Sequence, residues 1–148
     1  MEVNQDINAT GTVKLVLRGE DGNVKQELEF KNLVVDAGLA FIASRLKDAS
    51  AAVMSHMAVG SGATAAAAGQ TALVSEVGRV ALTSTAVNAG TITYTASFGA
   101  GVATGALTEI GLFNAAAAGT MQCRSVFAVV NKQATDTLSV TWNVTLNG

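Results

Sequence analysis

A strict alternation of large apolar and polar side chains near the C-terminus constrains the fold of this chain more than any other feature. Between residues 137 and 146, Leu138, Val140, Trp142, Val144 and Leu146 alternate with Thr, Ser and Asn. This period of two is that of a β-strand with one buried face, and a slip of one residue would turn all these apolar groups to solvent. The segment therefore predicts a strand of fixed register inside a sheet.

Similar strand-like segments recur along the chain, separated by turns rich in Gly, Asn and Asp. They do not alternate with helical segments, so a parallel sheet is not indicated. The pattern predicts an all-β protein, namely a two-sheet antiparallel β-sandwich, jelly-roll-like, forming a single domain over residues 12–148. The eight predicted strands are 12–18, 24–30, 54–59, 77–87, 91–98, 107–113, 120–130 and 137–146.

One short helix is predicted between the second and third strands. Asp36 suits an N-cap, and the helix is expected to end near Leu46. Leu39, Ile42 and Leu46, with Ala43 between them, recur at helical spacing and predict one apolar stripe. A single helix of this kind is expected to close an open end of the sandwich.

The first eleven residues differ from the rest, because they are polar with only isolated apolar side chains. This composition predicts an N-terminal arm over residues 1–11 that a neighbouring molecule orders. Within the arm, we expect the interface residues to be Val3, Asn4, Gln5, Asp6 and Ile7.

The low charge of the chain indicates what kinds of partner it has. Charged residues make up 14% of the sequence, against roughly 25% in a typical soluble domain. The net charge of −2 gives no basic field for nucleic acid or for a membrane surface. Few Lys and no Pro are present to protect sheet edges, so we expect another subunit to cover an edge or a face. With no signal sequence evident, the reducing cytosol is the expected place of synthesis.

Residues capable of catalysis are few and scattered. His56 is the only histidine, so neither a catalytic triad nor a multi-histidine metal site is expected. Cys123 lies in strand-like sequence and is expected to be a small buried side chain. The segment 60–64 (GSGAT) lacks the Lys of a phosphate-binding loop and is expected to be a flexible surface loop.

Two carboxylates lie in the more apolar half of the chain. We expect Glu76 and Glu109 to form buried or interface ion pairs with Arg79 or Arg124. A glycosidase-like pair of carboxylates is the less favoured alternative. The sequence therefore predicts a protein that is not an enzyme, with no catalytic residues, cofactor or metal.

Taken in order, several short segments resemble the small structural proteins of tailed bacteriophages, most of all the capsid cement (decoration) proteins. The resemblance covers nearly the whole chain after about residue 12. The segments that carry it are 32–38 (NLVVDAG), 42–46 (IASRL), 57–62 (MAVGSG), 73–80 (LVSEVGRV), 92–94 (ITY), 109–114 (EIGLFN) and 129–132 (VVNK).

The resemblance implies a virion protein, assembled in the host cytoplasm, on the outer surface of the capsid. Its partners would be the major capsid protein and further copies of itself, as a dimer or trimer, with no nucleic acid or membrane involved. It would bind across junctions between capsid subunits and stabilise the shell. The alternative is a tail-fibre or baseplate module that binds host glycans, because similar segments also occur in those proteins.

Overall fold

The computed structural model describes residues 5–148 and contains, in that range, nine β-strands and one α-helix. The all-β class with one short helix is confirmed. The elements are β1 (Asn8–Arg18), β2 (Val24–Val34), α1 (Asp36–Lys47), β3 (His56–Gly60), β4 (Glu76–Ala81), β5 (Ser84–Asn88), β6 (Thr91–Phe98), β7 (Gly105–Phe113), β8 (Met121–Lys132) and β9 (Thr137–Asn147).

All strand pairs are antiparallel, and they form one curled sheet in the order β4-β3-β7-β8-β2-β1-β9-β6-β5. The sequence predicted two separate sheets, whereas β2 joins the two halves of this one. Residues 24–32 of β2 pair with β1, and its last two residues, Leu33 and Val34, pair with Arg124 and Cys123 of β8.

The main core lies between the two halves of the sheet and includes side chains from both. Trp142 is fully buried, as are Leu138 and Val144 of the same strand, so the predicted register of β9 is confirmed. The indole Nε1 of Trp142 donates a hydrogen bond to Asn32 Oδ1 at 3.0 Å. The core thereby fixes the position of β2 against β9.

The segment 77–87, predicted as one strand, forms two strands that lie at opposite edges of the sheet. The cause is a change of partner at Leu82 and Thr83. The Leu82 amide donates to Ser55 O, beside β3, and the Thr83 amide donates to Thr95 O in β6. The chain thus crosses from one half of the curled sheet to the other, which separates β4 from β5.

The N-terminal boundary also differs from the expectation, because β1 begins at Asn8 rather than at residue 12. Residues 8–11 pair with residues 144–147 of β9. Of the expected interface residues, Val3 and Asn4 lie outside the described residues, while Gln5, Asp6 and Ile7 are exposed. Their role as an interface stays a prediction.

Helix α1 lies where it was predicted, but its burial differs. Val35 is the N-cap residue, and no side chain caps the helix. Gly38 packs against the backbone of β8, since a Cβ there would lie 2.1 Å from Gln122 O. The predicted apolar stripe is largely exposed: 48% of Leu39 and 82% of Leu46 are accessible to solvent. The buried residue of α1 is Gly38, on the side that lies against the backbone of β8.

Candidate functional site

A fully buried ion pair lies on the face of the sheet opposite the main core. Glu109 of β7 and Arg124 of β8 are both 0% exposed. Arg124 donates from Nη2 and Nε to Glu109 Oε2, at 2.8 and 3.1 Å. Their chain neighbours Ile110 and Cys123 belong to the main core, and successive side chains of a strand point to opposite faces. Of the two expected partners, Arg79 and Arg124, the structure pairs Glu109 with Arg124, in a buried ion pair.

Residues 61–75, here named the covering loop, enclose this ion pair from the outer side. Three backbone amides of the loop donate to the Glu109 carboxylate: Gly62 and Ser75 to Oε1, at 3.0 and 2.7 Å, and Val74 to Oε2, at 2.9 Å. Backbone N–H groups that converge on one point form a site for an anion. Here the anion is the protein's own carboxylate, and it holds both ends of the loop.

Arg124 holds the middle of the covering loop. Its Nη1 donates to Thr64 O at 2.8 Å and to Gln70 Oε1 at 3.0 Å. Gln70 in turn donates from Nε2 to Ala65 O at 3.2 Å. At the start of α1, the Asp36 amide donates to Ala68 O at 2.8 Å. The segment 60–64, expected to be flexible, is therefore part of a loop that is hydrogen-bonded at its ends and its centre.

Burial and hydrogen bonding act in opposite directions on the Glu109 carboxyl. Burial raises its pKa, whereas the amides of Ser75 and Val74, the Arg124 guanidinium and the Gly62 amide lower it. The hydrogen bonds together outweigh burial, and the pKa lies below its ordinary value. Glu109 is therefore ionised at neutral pH and keeps its attraction for Arg124.

Small residues allow the covering loop to approach the ion pair closely. A Cβ added at Gly62 would lie 2.6 Å from Glu109 Oε1, so a larger residue at this position would displace the carboxylate. No charged residue occurs between positions 60 and 75, and most of the loop is exposed. The loop thus presents an uncharged surface of small side chains on a fixed backbone.

A second ion pair fixes the neighbouring β7–β8 turn. Arg79 of β4 donates from Nη2 to Glu76 Oε1 at 2.7 Å, as expected for this pair. The Arg79 guanidinium also lies 3.8 Å from the centre of the Phe113 ring. Its Nη1 donates to the carbonyls of Ala115 and Ala118, at 2.9 Å each. The turn beside the covering loop is therefore held against β4.

The remaining candidate residues occupy structural positions. His56 Nδ1 lies 2.8 Å from Ser55 Oγ, in keeping with the expected hydrogen-bonded histidine. In β3, His56 is four residues from Gly60, the residue that pairs with Glu109, which is roughly 13 Å along a strand. The structure therefore does not bring the histidine and this carboxylate together. Cys123 is buried as expected, and burial raises the pKa of its thiol to about 12.

Within residues 5–148, no three His, Cys, Asp or Glu side chains are placed to hold a metal ion. In the same range, no helix has the length and apolar character needed to cross a membrane. No protein-family model, curated protein or solved structure matches the chain.

The sequence indicated the members of the ion pair but not what they hold. Glu109 and Arg124 were expected partners because few other charges lie in the apolar half of the chain. The hydrogen bonds from Gly62, Val74 and Ser75 to Glu109 come from backbone amides, so the side chains at these positions do not predict them. The only sequence signal is the run of uncharged residues, and by its composition it predicts a flexible loop.

Proposed function

We propose that this protein is a cement protein of a tailed-phage virion that binds the outer face of the capsid across junctions between capsid subunits, without catalysis. The resemblance of its sequence segments suggests the class of protein. The observation that carries the proposal is the covering loop, an uncharged surface of small residues held rigidly by the buried pair of Glu109 and Arg124.

A rigid, uncharged surface has two advantages for binding a protein shell. A loop that is already ordered loses little conformational entropy when it binds. A surface of small uncharged groups also avoids the cost of desolvating charges at the contact. Each contact can then be modest, because many copies on one shell stabilise it together.

The test is binding to expanded shells that lack this protein. Wild-type protein is expected to bind along the shell and to raise its resistance to heat. Ala67→Glu places a charge on the exposed part of the covering loop and should abolish binding. The matched control is Ala134→Glu, also at an exposed Ala, in the turn after β8. Ala134 lies beyond the end of β8, and that end is roughly 26 Å along the strand from Arg124. The Ala134→Glu variant should therefore bind shells like wild type.

Two results would contradict the proposal. Wild-type protein that does not bind shells would exclude the cement role. Binding that is unaffected by Ala67→Glu would exclude the covering loop as the contact. Labelled protein found at a single vertex of the virion, rather than over the whole shell, would favour the tail-fibre or baseplate alternative.

A further inference from the structure

The two edge strands of the sheet differ in how well they are protected. The edge strand β4 carries the Glu76–Arg79 ion pair. Its Gly78 also lies against Ala103 of the β6–β7 connection: a Cβ added at Gly78 would be 2.8 Å from the Ala103 Cβ. All five residues of β5 are exposed, and none is charged. Within residues 5–148, no strand pairs with the outer edge of β5. Such a neutral edge is a template for pairing with another strand.

Exposed apolar side chains lie beside this open edge. Leu46 of α1 is 82% exposed, Val87 of β5 is 71% exposed and Val53 is 55% exposed. All three line one groove of about 430 Å³ between α1 and strands β5, β6 and β9, together with Thr85 of β5. We name Leu46, Val53 and Val87 the edge patch. It includes part of the helix stripe that the chain's own core leaves uncovered.

We propose that the occupant of this surface is a second copy of the chain, which pairs its own β5 antiparallel to the first about a two-fold axis at Ala86. In this register Ser84 lies opposite Asn88 of the second copy, and Thr85 lies opposite Val87. Thr85 and Val87 face the groove in each copy. The two grooves and the two edge patches would therefore meet on the same face of one continuous sheet.

The composition of β5 favours a copy of itself over a partner of opposite charge. At a two-fold contact, a charge close to the axis would lie beside its own copy. The sequence of β5, STAVN, contains no charged residue. Arg45, which also lines the groove, donates to the carbonyls of Ala49 and Ala51. A contact of standard size covers about 800 Å² on each partner. That is about a tenth of the 7587 Å² surface of this chain, and the contact would include β5 and the exposed end of α1 at Leu46.

This inference names the surface for the self-association that the sequence resemblance implies, and it rests on the proposed function only for the purpose of that association. It is tested on the isolated full-length protein by sedimentation and light scattering. A dimer is expected at roughly 100 μM, where a contact with a Kd of about 1 μM is nearly fully formed. Leu46→Lys and Val87→Lys should each raise the Kd at least about tenfold, so both should dissociate at higher concentrations than wild type in a dilution series from about 100 to 1 μM. Val24→Lys, at a β2 residue that is 48% exposed, should leave it unchanged.

The register is tested by a cysteine at the proposed two-fold axis. Residues directly opposite in an antiparallel pair have Cα atoms about 4.5–5.5 Å apart. A disulfide spans this distance, so Ala86→Cys should form a disulfide-linked dimer under oxidising conditions. Ser84→Cys should not, since its two copies would lie roughly 13 Å apart. The native Cys123 is buried and should not contribute.

A monomeric wild type, an oligomer that Val87→Lys leaves intact, or the absence of an Ala86→Cys crosslink would each overturn the inference. Circular dichroism of Leu46→Lys and Val87→Lys should match wild type, because both side chains are exposed in the single chain. Shell binding distinguishes this inference from the proposed function. Val87→Lys, diluted until it is monomeric, should still bind shells with reduced affinity, whereas a shell-binding failure of wild-type dimers would affect only the cement role.

Discussion

Removal of Arg124 gives the sharpest test of the buried ion pair. Arg124→Met keeps an unbranched side chain of similar length but loses the guanidinium. The variant would leave Glu109 ionised at a site where its side chain is 0% exposed. It would also leave Thr64 O and Gln70 Oε1 without the donor that they share.

The expected cost is large compared with the stability of a single domain. Removing one partner of a buried ion pair costs about 3–5 kcal/mol, because the other charge stays uncompensated. The three backbone amides that bind Glu109 compensate part of that charge, so we expect the lower half of this range, about 3–4 kcal/mol. Domains are stable by roughly 5–15 kcal/mol, so the variant should fold at reduced stability.

Urea unfolding at neutral pH measures this change in the free energy of unfolding. Lys14→Met is the matched control, because it breaks the Lys14–Glu27 pair, whose side chains are 51% and 52% exposed. An exposed pair contributes at most about 1 kcal/mol. Amide hydrogen exchange adds a local measurement. In Arg124→Met, the segment around Thr64 and Gln70 should exchange faster than in wild type.

The pH dependence of this stability has a definite sign. Because the pKa of folded Glu109 lies below its ordinary value of 4.5, ionised Glu109 stabilises the fold above that pH, and the contribution is lost as pH falls through the folded pKa. Arg124→Met removes one of the groups that lower this pKa. In the variant, the stability contributed by ionised Glu109 should therefore begin to fall at a higher pH than in wild type. A cost below about 1 kcal/mol would mean that the pair does not behave as a buried one, and would refute the reasoning.

Three further changes test other parts of the fold. Trp142→Ala should cost about 3–5 kcal/mol in urea unfolding, and a neutral result would overturn the inward register of β9. Gly38→Ala should lower the melting temperature and speed amide exchange in α1, because its Cβ would lie 2.1 Å from Gln122 O. Gly69→Ala, with nothing within 4 Å of the added Cβ, should change neither. The Cys123 thiol, with a pKa of about 12, should react with thiol reagents only on unfolding, and rapid labelling of folded protein would contradict its burial.

Local patterns in the sequence were sufficient for the parts of the fold that depend on one strand or one pair of residues. The alternation in β9 predicted its buried face, because side chains in a strand point alternately to two sides. The few charges in the apolar half predicted ion pairs of Glu76 and Glu109 with Arg79 or Arg124, and left open which carboxylate binds which arginine. Both features depend on the types of side chain at particular positions, which the sequence gives directly.

Features that depend on long-range backbone contacts could not be predicted in this way. The helix stripe at Leu39 and Leu46 has the spacing of a buried face, but contact between Gly38 and the backbone of β8 orients the helix differently. The covering loop has the composition of a flexible segment, but its order comes from Glu109, more than thirty residues later in the chain. In both cases backbone groups make the deciding contact, and the residue type at those positions does not reveal it.

The proposed shell contact and the proposed self-contact lie on different elements, and this separation has a consequence for binding strength. The covering loop owes its order to Glu109 and Arg124 within one chain, so a monomer should retain it. A β5-linked dimer would carry two covering loops, and linked sites can raise the apparent affinity by about 10²–10⁴ without any new contact. Val87→Lys should therefore reduce shell affinity within this range and keep the loop's hydrogen-exchange protection. Arg124→Met should lose that protection while it still dimerises. If both variants lost both properties, the two surfaces would be coupled and could not be assigned separate roles.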